Sequence, residues 1–309
     1  MTRCLGIMEN ILKTSEYNLY VVCDKKQNDF TRIYLAKYKH RIVYKDMITD
    51  VGFVNKENSL EVDKNHLQQK LLSFTSTWDK VVDGECNFLR NINIESIITD
   101  ISPIGCLVGN KLNLPVILIS NFTWVEQYEF IKIEDSIINK FRQAYSNVNK
   151  FIKYDLCLPV STINCNEVYG PGFICREIDY DKVEYIKKKY GKSIFITCGK
   201  SVSLNNINIK NFDGTIFITS GITINYEGNC NVINLPVDIL DTQNYIAASH
   251  MVISKNGWGT SIIGHTNLVL IERPTAKEDT YNIEKIKANK LAISIKERDL
   301  STIDILSLE

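Results

Sequence analysis

The run SKNGWGTS, residues 254–261, sets Lys255, Asn256, Gly257, Trp258, Gly259 and Thr260 between two apolar stretches, residues 251–253 and 268–271. An apolar run that ends in such a turn and restarts as Leu-Val-Leu-Ile reads as strand, loop, short helix and strand. Gly257 and Gly259 lack a Cβ, so the backbone there can bring several N–H groups up to an anion at a helix start. Thr260 and Ser261 can add hydroxyl donors, and Lys255 a full positive charge. This chemistry suits the seating of a phosphate, with a nucleotide diphosphate as the natural guest. The shape of the motif also fits a tight turn, with Lys255 on a solvated rim and Trp258 wedged in a core.

Such a loop needs a scaffold, and composition limits which. A 309-residue chain of 44% hydrophobic residues can bury one large core or two ordinary ones, and two α/β units with a cleft between them are expected. The 36 basic and 36 acidic residues cancel, which sets aside the basic excess of a nucleic-acid binder. No apolar run approaches the length of a transmembrane segment, and MTRCLGIMENILKTSE lacks an apolar core followed by a small-residue cleavage site. A cytoplasmic, unexported protein is the expectation. Nine cysteines, an odd number without a CxxC pair, speak against a disulfide framework and a zinc cluster; reduced thiols in small core positions fit better.

Periodicity places the elements. Leu5, Met8, Ile11 and Leu12 predict an opening helix, followed by strands near residues 18–23 and 41–45. Leu67, Leu71, Phe74, Trp78 and Val81 recur at threes and fours, which predicts one long amphipathic helix or two broken around Gly84. Strands are expected at 96–101, 115–120 and 156–160, and helices at 103–112 and 133–152; the almost wholly apolar 115–120 reads as covered on both faces. The GPG cluster at 170–172 marks a domain boundary. After it come a helix at 181–190, a loop at 198–203, strands at 193–197, 215–219 and 232–235, helices at 242–249 and 278–290, and a strand at 291–295. The alternation predicts an α/β chain of two Rossmann-like parallel-sheet domains flanked by helices, residues 1–169 and 170–309.

Several of these pieces, in this order, resemble the GT-B glycosyltransferases, the two-Rossmann-domain class, and within it the family 28-like branch of the lipid-linked N-acetylglucosaminyl transferase. AASHMVISKNGWGTS is similar to that family's small-residue helix, apolar strand, His or Lys, and Gly-aromatic-Gly-Thr turn. ERPTAKEDTYN is similar to its proline loop with an acidic pair and a following Asn. DISPIGCLVGNKLNLPVILISNFTW resembles the acceptor domain of the class and the N-terminal part of plant-type arabinose kinases. The resemblance implies a metal-independent transferase that moves a sugar from a nucleotide-diphosphate sugar, UDP-linked above all, to a sugar, lipid-linked or small-molecule acceptor. The sugar nucleotide would be a co-substrate, and no cofactor is implied. The one Asp-x-Asp, Asp179-Tyr180-Asp181, opens a helix as cap and dipole charge rather than as a metal site. An acceptor at a membrane surface is compatible with the class by analogy alone.

Residue by residue, the resemblance implies that Lys255, Asn256, Gly257, Trp258, Gly259 and Thr260 hold the donor diphosphate, Lys255 standing where many relatives have His. The loop of Cys198, Gly199, Lys200 and Ser201 would approach the sugar phosphate. Glu278 and Asp279, with Asn282, would accept hydrogen bonds from sugar hydroxyls, although two carboxylates also suit a helix N-terminus as favourable charge. Asp100, at a strand end, matches an Asp that orients a catalytic His acting as general base on the acceptor. None of His40, His66, His250 and His265 falls in the matching place, and Ile263 stands where many relatives have a ribose-binding Glu. The opening helix matches the family's first helix with Met1 directly after the first strand and its loop, so an abbreviated first sheet with unpaired backbone is expected. A non-catalytic sugar-nucleotide binding or scaffold protein is the alternative to the transferase. On the acceptor side, Trp124 would stack on a sugar ring and Asn121 bond a hydroxyl. The same SNFTW also suits a helix start capped by Asn121 or Thr123, with Trp124 packed inside.

Overall fold

The computed structural model describes residues 2–165, 167–199, 202–256 and 267–308. The chain opens with α1 (Thr2–Thr14), followed by β1 (Leu19–Cys23), α2 (Lys25–Tyr34) and β2 (Ile42–Asp46). Helices α3 (Lys64–Ser76) and α4 (Trp78–Leu89) lead to β3 (Ile97–Thr99), α5 (Pro103–Leu112) and β4 (Val116–Ser120). Then come α6 (Trp124–Phe130), α7 (Asp135–Tyr145), β5 (Lys150–Lys153) and β6 (Glu167–Tyr169).

These strands pair only in parallel. β1 joins β2, and β3, β4, β5 and β6 form a four-stranded sheet in that order. Among the described residues β1 and β3 each have one ladder neighbour, so the strands of this half form two separate sheets. Helix α1 spans both: Leu12 packs with Leu35 and Ile42 beside β2, and Ile7 packs with Ile119 and Tyr154 beside β4. Ser102 Oγ donates to the Thr49 carbonyl at 2.6 Å, tying the segment after β2 to the end of β3. Helix α5 lies so close on β4 that a Cβ at Gly109 would come within 2.3 Å of Val116 Cγ2.

Three local expectations fail here for physical reasons. The break between α3 and α4 falls at Thr77, with Gly84 inside α4, because Thr77 N and Oγ1 both bond the Phe74 carbonyl, at 3.1 and 2.8 Å. Helix α2 has no apolar stripe to betray it; its buried residues are Asn28 and Thr31, and it is started by the Asp24 cap on Gln27 N. No strand forms at 156–160. Leu156 sits at φ 58°, which ends extended pairing, and the strand is β5, so Ile152 is a strand residue rather than a last helical turn.

The second half runs α8 (Tyr180–Tyr190), β7 (Ser193–Thr197), β8 (Leu204–Lys210), β9 (Gly214–Ile218), β10 (Ile222–Tyr226), β11 (Cys230–Asn234), α9 (Thr242–Ala248), β12 (Met251–Lys255), β13 (Asn267–Glu272), α10 (Lys277–Ala288), β14 (Ile293–Lys296) and β15 (Ile303–Asp304). Its six-stranded parallel sheet has the order β11-β9-β7-β12-β13-β14, which is the doubly wound arrangement with its reversal between β7 and β12. Alternation within SIFIT sends Phe195 to one face and Ile194 and Ile196 to the other. Phe195, Phe217, Val252 and Leu270 meet Val183, Ile186, Ile246 and Ile283 of the helices.

The opposite face differs from the expected helical cover. It packs on a second parallel sheet, β10-β8-β15, through Ile194, Ile196, Ile216 and Ile253 against Leu204, Ile207, Ile209, Ile222 and Ile303. The reason lies in NINIK and ITINY, where apolar and polar residues alternate with the period of a strand. Their outward asparagines bond each other: Asn225 Nδ2 donates to Asn208 Oδ1 at 2.9 Å, and Asn208 Nδ2 to the Ser301 carbonyl at 2.8 Å. No helix among the described residues is long and apolar enough to cross a membrane.

Candidate functional site

The strand ends of the two halves bring their polar residues to one place. Asp100 follows β3, Asn121 follows β4, Lys255 ends β12, Gly199 lies just past β7, Arg273 follows β13, and Glu278, Asp279 and Asn282 sit in the first turns of α10. In open parallel sheets the crevice outside the carboxyl ends of the strands is where ligands bind, because loops and helix N-termini there present polar groups without breaking the ladders.

A chain of hydrogen bonds crosses between the halves. Arg3 Nε and Nη2 donate to the two oxygens of Asp100 at 2.9 and 2.5 Å, and Arg3 Nη1 donates to Asn121 Oδ1 at 2.9 Å. Asn121 Nδ2 in turn donates to Glu278 Oε1 at 2.6 Å. Cys4 Sγ adds a third donor to Asp100 at 2.8 Å. Burial pushes the Asp100 carboxyl up, but the Arg3 charge and its fork outweigh that and hold the pKa down at about 2. Asp100 therefore has Arg3 as its partner, where the resembled family pairs such an Asp with a histidine that the sequence does not supply in the matching place.

On the other side Arg273 Nε and Nη2 each donate to Asp279 at 2.8 Å, both residues being buried, and the Arg273 guanidinium lies 4.8 Å over the Phe53 ring. Asn256 Nδ2 donates to the Asp279 carbonyl at 3.2 Å. Asp279 thus accepts a bidentate fork from Arg273 and lies fully buried, where the sequence suggested sugar hydroxyls as its partners. Burial and the neighbouring Asp279 push the Glu278 carboxyl up to about 7. A carboxyl whose folded pKa exceeds its ordinary 4.5 binds more protons folded than unfolded between those values, so its contribution to stability falls as pH rises from about 4.5 to about 7. Glu278→Gln, whose Oε1 can still accept from Asn121, is expected to melt higher than wild type at pH 8 and equally at pH 4. Equal melting at both pH values would overturn this account.

Two loops far apart in sequence meet at Lys255. Gly199, at φ 73°, leaves room for it: a Cβ there would lie 3.3 Å from Lys255 Cε and 3.4 Å from Nζ. Burial and the Arg273 charge draw the Lys255 pKa below the ordinary lysine value. Among the described residues no hydrogen bond or ion pair reaches Lys255 Nζ, whereas Arg273 is neutralised by Asp279. Asn282 is fully buried, and neither Oδ1 nor Nδ2 has a hydrogen-bond partner among the described residues. Lys200, Ser201, Gly257, Trp258, Gly259 and Thr260, with Ile263 and His265, lie outside the described residues.

Asn121 and Trp124 are both buried, at 0% and 4% exposure. Thr123 caps α6 in a capping box with Glu126, so SNFTW is the capped helix start. The Trp124 ring stacks on Tyr128 at 5.2 Å and takes the edges of Phe53 and Phe122 at 5.3 Å, which corrects the expectation of a face free for a sugar. Its indole Nε1 donates instead to Asp50 Oδ2 at 3.0 Å. Arg3, Asp50 and Arg273 carry this site and were missed in the sequence; only Arg273, a charge directly after an apolar strand and before Pro274, had a local signal. A polar cleft of about 510 Å³ is lined by Asn55, Asn58, Ser59, Ser203, Asn205 and Thr223 among others and by none of the described site residues above. A second, of about 870 Å³, lies away from it beside Glu9, Tyr34, Asp179 and Asp241. Among the described residues no group of three or more metal-ligating side chains converges.

Two Rossmann-like units whose strand ends share one set of polar residues define the GT-B class of fold. No family model and no curated protein matches the chain. Among solved structures, Arabidopsis thaliana UGT89C1 complexed with UDP is similar over 96% of this chain and 86% of that one, with a TM-score of 0.60 at 10% identity. Phytolacca americana UGT2 complexed with UDP-2-fluoro-glucose and pterostilbene is similar over 97% and 84%, with a TM-score of 0.62 at 10% identity. Acinetobacter baumannii MurG is similar over 99% and 84%, with a TM-score of 0.50 at 13% identity. The chain therefore has the GT-B fold, and the likeness, shared by plant and bacterial proteins, singles out no branch within it.

Proposed function

We propose that this chain transfers a sugar from a nucleotide-diphosphate sugar, UDP-linked, to a hydroxyl acceptor. Residues 170–309 hold the donor, residues 1–169 face the acceptor, and the reaction needs no metal and takes place in the cytoplasm. The observation that carries the reading is Lys255: a half-buried cation without a partner among the described residues, packed against Gly199 at the strand ends of a GT-B sheet. A diphosphate there restores the lysine's charge and is stabilised by it as the leaving group. Gly199, Lys200 and Ser201 approach the sugar phosphate, and residues 256–260 supply the remaining donors. Glu278 and the unpartnered amide of Asn282 offer hydrogen bonds to the sugar. Solved neighbours complexed with UDP and with UDP-2-fluoro-glucose support the choice of nucleotide.

A second reading, binding without turnover, is favoured by Asp100, whose carboxylate is held by Arg3 with no histidine bonded to it among the described residues. A thermal-shift titration with UDP, dTDP, GDP and UDP-glucose, with and without EDTA, tests the binding. At a hundredfold excess over Kd a ligand of the folded state adds about 2.7 kcal/mol of stability. UDP is expected to raise the wild-type melting temperature in EDTA, and Lys255→Ala to abolish the rise. A cooperative melt unmoved by every nucleotide would reduce the likeness to a shared fold. Release of UDP from UDP-glucose, measured on the same protein, separates enzyme from binder.

A further inference from the structure

Asp50 lies in the segment between β2 and α3, beside the end of β3, in the half proposed to face the acceptor. Its Oδ1 accepts from Val51 N at 2.8 Å and Gly52 N at 3.3 Å, and its Oδ2 accepts from Trp124 Nε1 at 3.0 Å. Oδ2 thus has one protein donor among the described residues and keeps a lone pair, and the residue as a whole is of intermediate burial. Trp124 is itself immobilised by Phe53, Phe122 and Tyr128, so the carboxylate is aimed by packing rather than by a flexible contact. The Tyr128 hydroxyl, buried nearby, has no hydrogen-bond partner among the described residues.

We propose that Asp50 is the general base of the transfer, a reading that rests on the glycosyltransferase assignment above. As the acceptor oxygen forms its bond to the anomeric carbon, its proton passes to Asp50 Oδ2. The bond from that carbon to the diphosphate oxygen breaks, and its electron pair leaves with the nucleoside diphosphate. Asp50 then returns the proton to water.

Two carboxyls at one site have been pushed in opposite directions, which is how acid-base roles are divided. Asp100, gripped by the Arg3 guanidinium and Cys4, is held down at about 2, whereas no guanidinium is hydrogen-bonded to Asp50 among the described residues. Burial pushes Asp50 up to about 7, opposed by the Gly52, Trp124 and Val51 donors and reinforced by the Asp100 charge. The other titratable groups facing Asp50 are the Tyr128 and Tyr145 hydroxyls, both pushed up by burial, while Arg3 is paired to Asp100 and Arg273 to Asp279. A base with a pKa near working pH is the one that combines availability with basicity.

The test uses UDP-glucose with water as the acceptor, so no acceptor need be known. Asp50→Asn is expected to lower kcat/KM by roughly 10²–10⁴-fold and to leave the UDP-induced melting shift unchanged. Wild-type kcat/KM should rise with pH to a plateau above about 7, and Asp50→Asn should lose that limb. Trp124→Phe keeps the carboxylate but removes a donor to its charged form, so the limb should move to higher pH. It carries the test if Asp50→Asn fails to melt cooperatively. Glu278→Gln should keep the limb. Wild-type turnover with undiminished Asp50→Asn activity, or a limb lost in Glu278→Gln instead, overturns the base assignment and leaves the transferase reading standing. A wild type that binds UDP without turnover overturns both.

Discussion

Arg273→Ala is expected to cost about 3–5 kcal/mol of folding stability, the largest effect of any single substitution in the site. Arg273 is 6% and Asp279 0% exposed, so the pair sits where water cannot replace a lost partner. Two parallel bonds of 2.8 Å make a bidentate fork, and truncation removes both at once together with the contact over Phe53. What remains is a buried carboxylate whose pKa burial already pushes up and which Arg273 chiefly, with a lesser pull from Lys255, draws back. The measurement is the urea midpoint of the apo protein at pH 7. The control is Arg273→Met with Asp279→Leu, which removes both charges and should recover most of the loss, since the cost lies in the unpaired charge rather than in the missing bridge. A loss below about 1 kcal/mol in Arg273→Ala, or a double variant as weak as the single, would sink the argument.

Arg3→Leu is expected to lose its stability deficit as the solution is acidified. Arg3 holds Asp100 at about 2 against an ordinary 3.8, and a depressed carboxyl contributes stability that is full above 3.8 and is lost as pH falls toward about 2. Just under two pH units correspond to about 2 kcal/mol. The side chains are 14% and 19% exposed, so solvent screening discounts this only modestly. Wild type should therefore exceed Arg3→Leu by about 2 kcal/mol at pH 7 and by little near pH 2, read from urea midpoints at each pH. A gap independent of pH would mean that Arg3 acts through packing on Tyr154, which its guanidinium covers at 5.1 Å, rather than through Asp100. The same variant also releases the Asn121 amide that Arg3 orients toward Glu278.

Local patterns were legible where one element reports its own environment. The apolar run of β4, the alternation of β7 and the helical stripe of α7 all announce their faces, because burial on one or both sides selects residue type position by position. β8 and β10 carried the same signal in NINIK and ITINY and were overlooked because the expected pattern called for helices between the strands of the main sheet. α2 was not legible, since its buried side chains are polar and serve hydrogen bonds: Asn28 Nδ2 reaches the Lys45 carbonyl at 2.8 Å. The length of 156–160 as a strand failed on the left-handed backbone at Leu156, a conformation that sequence does not advertise in a leucine.

By itself the sequence determined two α/β units and parallel sheets, because both follow from residue spacing within a few turns of chain. Only the tertiary structure decided who neutralises whom. Asp100 takes Arg3 from 97 residues away, Asn121 reaches Glu278 across 157, and Gly199 makes room for Lys255. Whether a carboxylate at a strand end is locked or poised depends on burial and on the charges brought beside it from other elements, and these are long-range quantities that local spacing does not encode. That is why Asp100 looked catalytic in the sequence, and why Asp50, with no motif around it, emerged only when Trp124 was seen to point at it.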